Sequence, residues 1–231
     1  MHGQFEALQV VNLKRVGVVN ISVFSTGGPV QSLVNMIGAL GNEYDFSVIT
    51  SAFDLNEKQP YPDIIFNEWN RVKIQSTTIP VFYVLQKLNL KSLKKQVDMA
   101  APDMIYINGM YSRSFFLQPL WIGNRLNKEN TLFIISPRGM LQQGALKGKA
   151  LKKKIYIQFL KAAGLLKNVY WHATNESEQH DIQNIFGKTS AVFVAGNIPK
   201  RPLALTGSNK QTEQLRLVYY HSLLRKKICS Y

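Results

Sequence analysis

The sequence predicts an α/β protein built on an open, doubly wound parallel sheet, and three observations carry that reading. Short apolar runs bounded by turn residues alternate with stretches whose apolar residues recur at helical spacing, the pattern of parallel βαβ units. The first run, Val16 to Phe24, passes directly into Ser25-Thr26-Gly27-Gly28-Pro29 and then into a helical pattern of Val30, Leu33, Val34, Ile37 and Leu40. The later runs also end in loops of glycine, hydroxyl, amide or guanidinium groups. In open parallel sheets, ligands gather beyond the carboxyl ends of the strands.

The elements follow in order. After the first strand and helix, Phe46 to Thr50 makes a second short strand, and Ser51 to Asn70, polar and holding Pro60 and Pro62, reads as a long loop. Arg71 to Gln75 alternates like a half-exposed strand, and Leu85 to Ala100 has helical spacing with many lysines until Pro102-Asp103 ends it. Met104 to Asn108 is a strongly apolar strand closing on Gly109. A helix from about Ser112 to Asn127 and a strand over Thr131 to Ile135 follow. A basic helix comes next, then a strand from Val169 to Ala173. Thr174 is the expected N-cap of a helix over about Asn175 to Phe186, with Glu176 and Glu178 in its first turn where acids suit the dipole. Ala191 to Val194 is the last clear strand.

The glycine junction can do one of two things. Two glycines without Cβ let a ligand approach the backbone N–H groups, and a helix N-terminus attracts an anion such as a phosphate. The alternative is a tight strand-to-helix turn that binds nothing. Pro29 suits either, since a first-turn proline loses no helical hydrogen bond.

Composition narrows the classes. At 231 residues with 45% hydrophobic content, the chain is globular and can hold one large α/β domain, or one domain plus a fragment of another. No stretch approaches a spanning helix, and Met1 to Val10 lacks a basic start ahead of an apolar core, so no secretory signal is expected. The single cysteine, Cys229, excludes an internal disulfide framework and fits a reducing, cytoplasmic compartment. The histidines His2, His172, His180 and His221 have no ligand spacing, so no metal is expected. G-x-G-x-x-G is absent, so no dinucleotide or other cofactor is expected either.

Charge is the outlier. Lys and Arg number 28 against 14 acidic residues, a net charge of +14, which favours phosphates, nucleic acid or an anionic membrane surface. Between Arg138 and Lys167 there is no acid, while Lys147, Lys149, Lys152, Lys153 and Lys154 cluster there. Ile155, Phe159, Ala162, Ala163 and Leu166 recur at helical spacing in the same stretch, predicting an amphipathic basic helix. It reads either as an ordinary solvated face or as a docking surface for anionic headgroups at the inner face of the plasma membrane. Nucleic acid is not the expected partner, because Tyr156 and Phe159 fall on or near the apolar stripe rather than among the lysines.

Five segments in order carry a resemblance. They are Thr26-Gly27-Gly28 before the first helix, Ala101-Pro102-Asp103-Met104-Ile105-Tyr106-Ile107-Asn108-Gly109, Ile135-Ser136-Pro137-Arg138-Gly139-Met140-Leu141, His172-Ala173-Thr174-Asn175-Glu176-Ser177-Glu178, and Val194-Ala195-Gly196-Asn197-Ile198-Pro199. Over about Lys14 to Pro199 the chain resembles the N-terminal half of a family 4 retaining glycosyltransferase of the GT-B type. The resemblance implies a Rossmann-like domain that mainly holds the acceptor, facing a C-terminal domain that mainly holds a nucleotide-sugar donor. The implied activity is hexosyl transfer from a nucleotide sugar to a glycan or lipid-linked acceptor in surface polysaccharide synthesis.

Carried over by position, Gly27, Gly28 and Arg138 are expected beside the donor phosphates. Asn108, Glu176 and Glu178 are expected on the acceptor rim. Asn108 stands where many members have a histidine, so a titratable role there is not carried over. The plain readings stand beside these: Arg138 as a helix cap or ion-pair partner, Asn108 as a strand-end turn residue, and the two glutamates as dipole partners. His172, inside a strand, reads as a packed core histidine. No catalytic residue is assigned.

The chain departs from the family after Pro199. Lys200 to Gln214 reads as a polar linker, and Leu215 to Tyr220 resembles the first strand of a second domain before the sequence reaches Tyr231. A truncated product is therefore expected, one that lacks transfer activity by itself. The runner-up expectation is a stand-alone binding module for an anionic glycolipid or polyprenyl phosphate.

Overall fold

The computed structural model describes residues 14–20, 28–54, 57–86, 89–126, 131–142 and 150–199. The expectations for the linker over 200–214 and the strand over 215–220 lie outside them. Eight strands form one sheet: β1 (Arg15–Asn20), β2 (Asp45–Ser51), β3 (Trp69–Ile74), β4 (Thr77–Val84), β5 (Met104–Asn108), β6 (Leu132–Ser136), β7 (Val169–Ala173) and β8 (Val192–Val194). Among the described residues, five α-helices join them, α1 (Gly28–Leu40), α2 (Leu90–Ala100), α3 (Gln118–Leu126), α4 (Ala150–Ala162) and α5 (Glu176–Phe186), with a π-helical turn over Arg113–Leu117 leading into α3.

The sheet runs β3-β4-β2-β1-β5-β6-β7-β8, and each neighbouring pair is parallel except the β3–β4 hairpin. Without the two outermost strands this is the order of a Rossmann-type doubly wound sheet, whose direction of winding reverses between β1 and β5. The fold class is the expected one.

Strand alternation sends side chains to two cores. On β1, Val16 and Val18 pack with Leu33 and Ile37 of α1, while Val19 packs on the opposite face. On β5, Ile105 and Ile107 enter the second core with Leu93 and Leu160, and Tyr106 turns to the α1 side. With both faces covered, the central strands must be apolar throughout, which is why they read as continuous hydrophobic runs. The starts of β1 and β5 are stapled together. Asp103 accepts from the Arg15 guanidinium at 2.7 Å and from the backbone N–H groups of Arg15 and Lys14 at 2.9 and 3.2 Å. The Arg15 guanidinium beside Asp103 holds that carboxyl below its ordinary pKa.

Three local expectations are corrected. Thr77–Val84 is a buried strand that the sequence did not announce, because Pro80 argues against a central strand. Its pairing with β2 begins only at Val81, so Pro80 stands before the stretch that needs the ladder on that side. The helix expected from Leu85 starts at Leu90, where the Asn89 side chain caps it by accepting from Ser92 N–H at 2.8 Å. Asn175, not Thr174, caps α5, accepting from Glu178 N–H at 2.9 Å.

Candidate functional site

The direction of winding reverses between β1 and β5, and ligands of such sheets bind beyond the carboxyl ends of the strands at that point. The register sets Asn20 beside Asn108 and Asn108 beside Ser136, so three strands end on one level. Gly27 lies outside the described residues. Gly28 opens α1, and a Cβ built on it meets no atom within 4 Å, so there is open space beside this residue. The leading N–H groups of α1 have no acceptor within the helix.

Arg138 follows the end of β6 and reaches across these strand ends, and local chemistry explains how it is held there. Arg138 and Gly139 both have positive φ, 55° and 74°, and Met140 N–H donates to Pro137 O at 3.2 Å, the arrangement of a type I′ turn. A left-handed conformation is ordinary for glycine and strained for arginine. The strain aims the guanidinium back across the strand ends. Nε donates to Asn108 Oδ1 at 2.8 Å, Nη1 to Ser32 Oγ at 3.1 Å and Asn197 Oδ1 at 2.5 Å, and Nη2 to the Tyr106 hydroxyl at 2.9 Å.

All four of these partners are neutral and fix the orientation of the guanidinium, while the buried Glu178 carboxylate acts electrostatically on the same cluster without an ion-pair contact to it. Arginine has five N–H donors, and these bonds use four, leaving one on Nη2. The Ser32 hydroxyl in turn donates to Asn197 Oδ1 at 2.7 Å, and Asn35 donates to Ile198 O at 2.9 Å. The 197–198 segment is thereby tied to α1 beside the guanidinium.

A relay continues from Arg138. The Tyr106 hydroxyl lies 2.7 Å from His172 Nδ1, and His172 Nε2 lies 2.8 Å from Ala195 O. A carbonyl only accepts, so Nε2 carries the proton, Nδ1 accepts from Tyr106, and Tyr106 accepts from Arg138. Burial, reinforced by the charge of Arg138, lowers the His172 pKa against the opposing pull of the Ala195 carbonyl. Burial raises the Tyr106 pKa, with Arg138 opposing. Both rings are neutral near pH 7. With both nitrogens engaged, His172 orients the cluster.

Glu178 is 1% exposed, and its carboxylate is engaged by the protein. One oxygen accepts from Gly139 N–H at 2.7 Å, and the other from the Thr174 N–H and hydroxyl, each at 2.7 Å. It fastens the turn that carries Arg138 to the start of α5. Glu176 is exposed in the first turn of that helix. Asn108 is buried, donates to Pro29 O at 3.4 Å and accepts from Arg138. The structure therefore brings Arg138, Asn108 and Gly28 to one rim.

Sequence reasoning missed Ser32, Tyr106 and Asn197 as partners of Arg138. A polar Ser32 inside the apolar pattern of α1 was the available signal. Gly109 has φ 96°, and a Cβ there would meet Met140 Cε at 3.2 Å, so glycine lets the β5 and β6 loops pack together.

The lysines fall elsewhere. Lys147 and Lys149 lie outside the described residues. Lys152 and Lys154 are exposed on α4, and Lys153 is partly buried with its ammonium 5.3 Å from the Tyr111 ring centroid. The face expected to be buried is reversed in part. Ile157 and Leu160 enter the core, whereas Ile155 and Phe159 are 61% and 49% exposed. Phe159 therefore no longer argues against a nucleic-acid partner.

No protein-family model and no curated protein matches the sequence. Among solved structures, the chain is similar to the crystal structure of Anabaena Alr3699/HepE in complex with UDP and glucose, at 13% identity and a TM-score of 0.47. The match covers 80% of this chain and 44% of that one, so the chain spans less than half the length of that structure. The strand order, not this likeness, carries the fold assignment.

Proposed function

We propose that the described unit is the acceptor-side half of a GT-B glycosyltransferase of the family 4 type, moving a hexosyl group from a nucleotide sugar to a glycan or lipid-linked acceptor. One observation supports this above the others: a guanidinium held by four neutral partners at the winding reversal, bonded to Ser32 of α1 close to the start of that helix. Its charge, bound by no carboxylate, suits a donor diphosphate, whose negative charge grows as the sugar–phosphate bond breaks. The order of the five sequence segments adds support.

In this reading Arg138 meets the leaving phosphate with its remaining Nη2 donor and its charge, and the leading N–H groups of α1 meet a second oxygen. Asn108 and Tyr106 fix the guanidinium, and Glu178 fixes its turn. Glu176, exposed in the first turn of α5 just after β7, would meet the acceptor in this reading. The unit offers one wall of the site. Transfer needs a second surface to hold the nucleotide and set the anomeric carbon against the acceptor.

The test is calorimetric titration of the chain with UDP and with inorganic pyrophosphate, beside an assay for sugar release from a panel of nucleotide sugars. Arg138→Ala is expected to weaken diphosphate binding about tenfold or more, and Arg138→Lys to recover only part because it loses the planar fork. Equal affinity in the wild-type and Arg138→Ala proteins would overturn the site.

A further inference from the structure

Helix α4 presents an outward surface that the Arg138 site does not use. Leu151, Ile155 and Phe159 are 71%, 61% and 49% exposed, and their spacing of four sets them along one face. The opposite face is anchored. Ile157 and Leu160 are buried, and the Tyr156 hydroxyl donates to Met110 O at 2.7 Å. With about 100° between successive residues, Lys152 borders the apolar stripe on one side and Lys154 and Lys161 on the other. Helix α4 contains no acid, and none occurs from Arg138 to Lys167. Scattered exposed apolar residues are normal, but an aligned stripe framed by one sign of charge marks an interaction surface.

We infer that α4 docks in the plane of an anionic lipid surface, its stripe entering the headgroup–acyl boundary while the lysines meet the lipid phosphates. Three considerations select this occupant. Helix α4 has 13 residues, and no helix among the described residues is long and apolar enough to span a bilayer, so contact is lateral. A second copy would bring the same lysines against themselves across a two-fold interface, at a cost in like-charge repulsion. Single-stranded nucleic acid binds through stacking rings, and this stripe offers one ring and two aliphatic side chains. A surface carrying phosphates over hydrocarbon matches both components of the stripe, and a net charge of +14 adds long-range attraction. The inference does not depend on sugar transfer.

Vesicle flotation with the full chain tests it, using phosphatidylcholine alone and phosphatidylcholine mixed with phosphatidylglycerol. Partitioning onto the anionic vesicles is expected to exceed that onto neutral ones by about tenfold or more and to fall steeply with added salt. The triple variant Leu151→Ser, Ile155→Ser, Phe159→Ser is expected to lose about tenfold in partitioning while remaining folded, because about half or more of each replaced side chain is already in water. Should that variant fail to fold, Lys152→Glu with Lys154→Glu supplies the same test through charge alone. Equal partitioning onto both vesicles overturns the inference, as does wild-type partitioning by the triple variant or by the charge-reversed pair. Binding of single-stranded DNA without vesicle binding also overturns it. So does a dimer in light scattering that the triple variant converts to monomer.

Discussion

The Tyr106 hydroxyl donates to His172 Nδ1 at 2.7 Å, joining two strands that are not neighbours, since β6 runs between β5 and β7. The same hydroxyl accepts from Arg138, so one oxygen couples the guanidinium to β7, whose His172 in turn donates to Ala195 O just after β8. Tyr106→Phe keeps the ring's packing and leaves His172 Nδ1 and one Arg138 donor without that partner. The expected loss is about 1–2 kcal/mol of stability. Urea unfolding checks it: the midpoint falls with the slope unchanged. An unaltered midpoint would show that the hydroxyl carries no net bond.

The relay also makes stability depend on pH. His172 has a pKa below its ordinary value of 6.5, so the unfolded chain binds the proton more readily than the folded one. Its contribution is complete above pH 6.5 and declines as pH falls below that value toward the folded pKa. Protonation would also place a proton on Nδ1, where Tyr106 now donates. Denaturation midpoints measured between pH 7.5 and about 5 should fall in the wild type, and more shallowly in His172→Gln. Parallel curves for the two proteins would remove His172 as the cause.

Asp103 works in the opposite chemical sense at the other end of the sheet. Its pKa is lowered, first by the side-chain bond from Arg15 and then by that residue's N–H, so its contribution is present above the ordinary value of 3.8 and disappears as pH falls through the folded pKa. In Asp103→Asn the acid limb of the stability profile should flatten below pH 3.8, while the limb near pH 6 set by His172 stays. Thermal melts across both windows separate the two groups.

Glu178 is the residue whose role the surrounding bonds define best. Two backbone N–H groups and a hydroxyl point at its carboxylate, so an amide in its place would set an NH2 against at least one N–H donor. Glu178→Gln is therefore expected to cost about 2 kcal/mol or more despite its near-identical shape. Because the bond to Gly139 holds the turn in which Arg138 has φ 55°, the same variant should weaken pyrophosphate binding. Stability lost with binding intact would separate the clip from the site.

Much of this architecture could be read from residue order. Met104–Asn108 and Val169–Ala173 appear with the expected bounds, because a strand buried on both faces must be apolar throughout and turn residues close it. Strand β4 was hidden because Pro80 is a local signal against a strand, whereas its placement depends on where β2 begins to pair, a tertiary fact. The α4 face was misread for a related reason. The helix is apolar on two sides, so periodicity alone could not say which side the sheet would cover. At the site, Arg138 and Asn108 were visible as strand-end residues. Tyr106 was not, because a tyrosine within an apolar strand looks like packing until its hydroxyl finds a partner.

Two glycines on opposite faces of the sheet predict contrasting responses to one added methyl. In α3, a Cβ at Gly123 would lie 2.3 Å from Phe133 Cζ, a partly buried ring on β6 packed against the core. Gly123→Ala therefore overpacks the contact between helix and strand, and is expected to cost about 1–3 kcal/mol despite alanine's better helix propensity. In α1, a Cβ at Gly38 would lie 2.1 Å from Gln75 Oε1, the far end of an exposed side chain that can move into solvent. Gly38→Ala should be neutral or stabilising, by up to about 1 kcal/mol, since the chain gains helix propensity and only a flexible amide must shift. Urea midpoints of the two variants should move in different directions, or at least differ clearly. A stabilising Gly123→Ala would mean that α3 does not pack on Phe133 as closely as described.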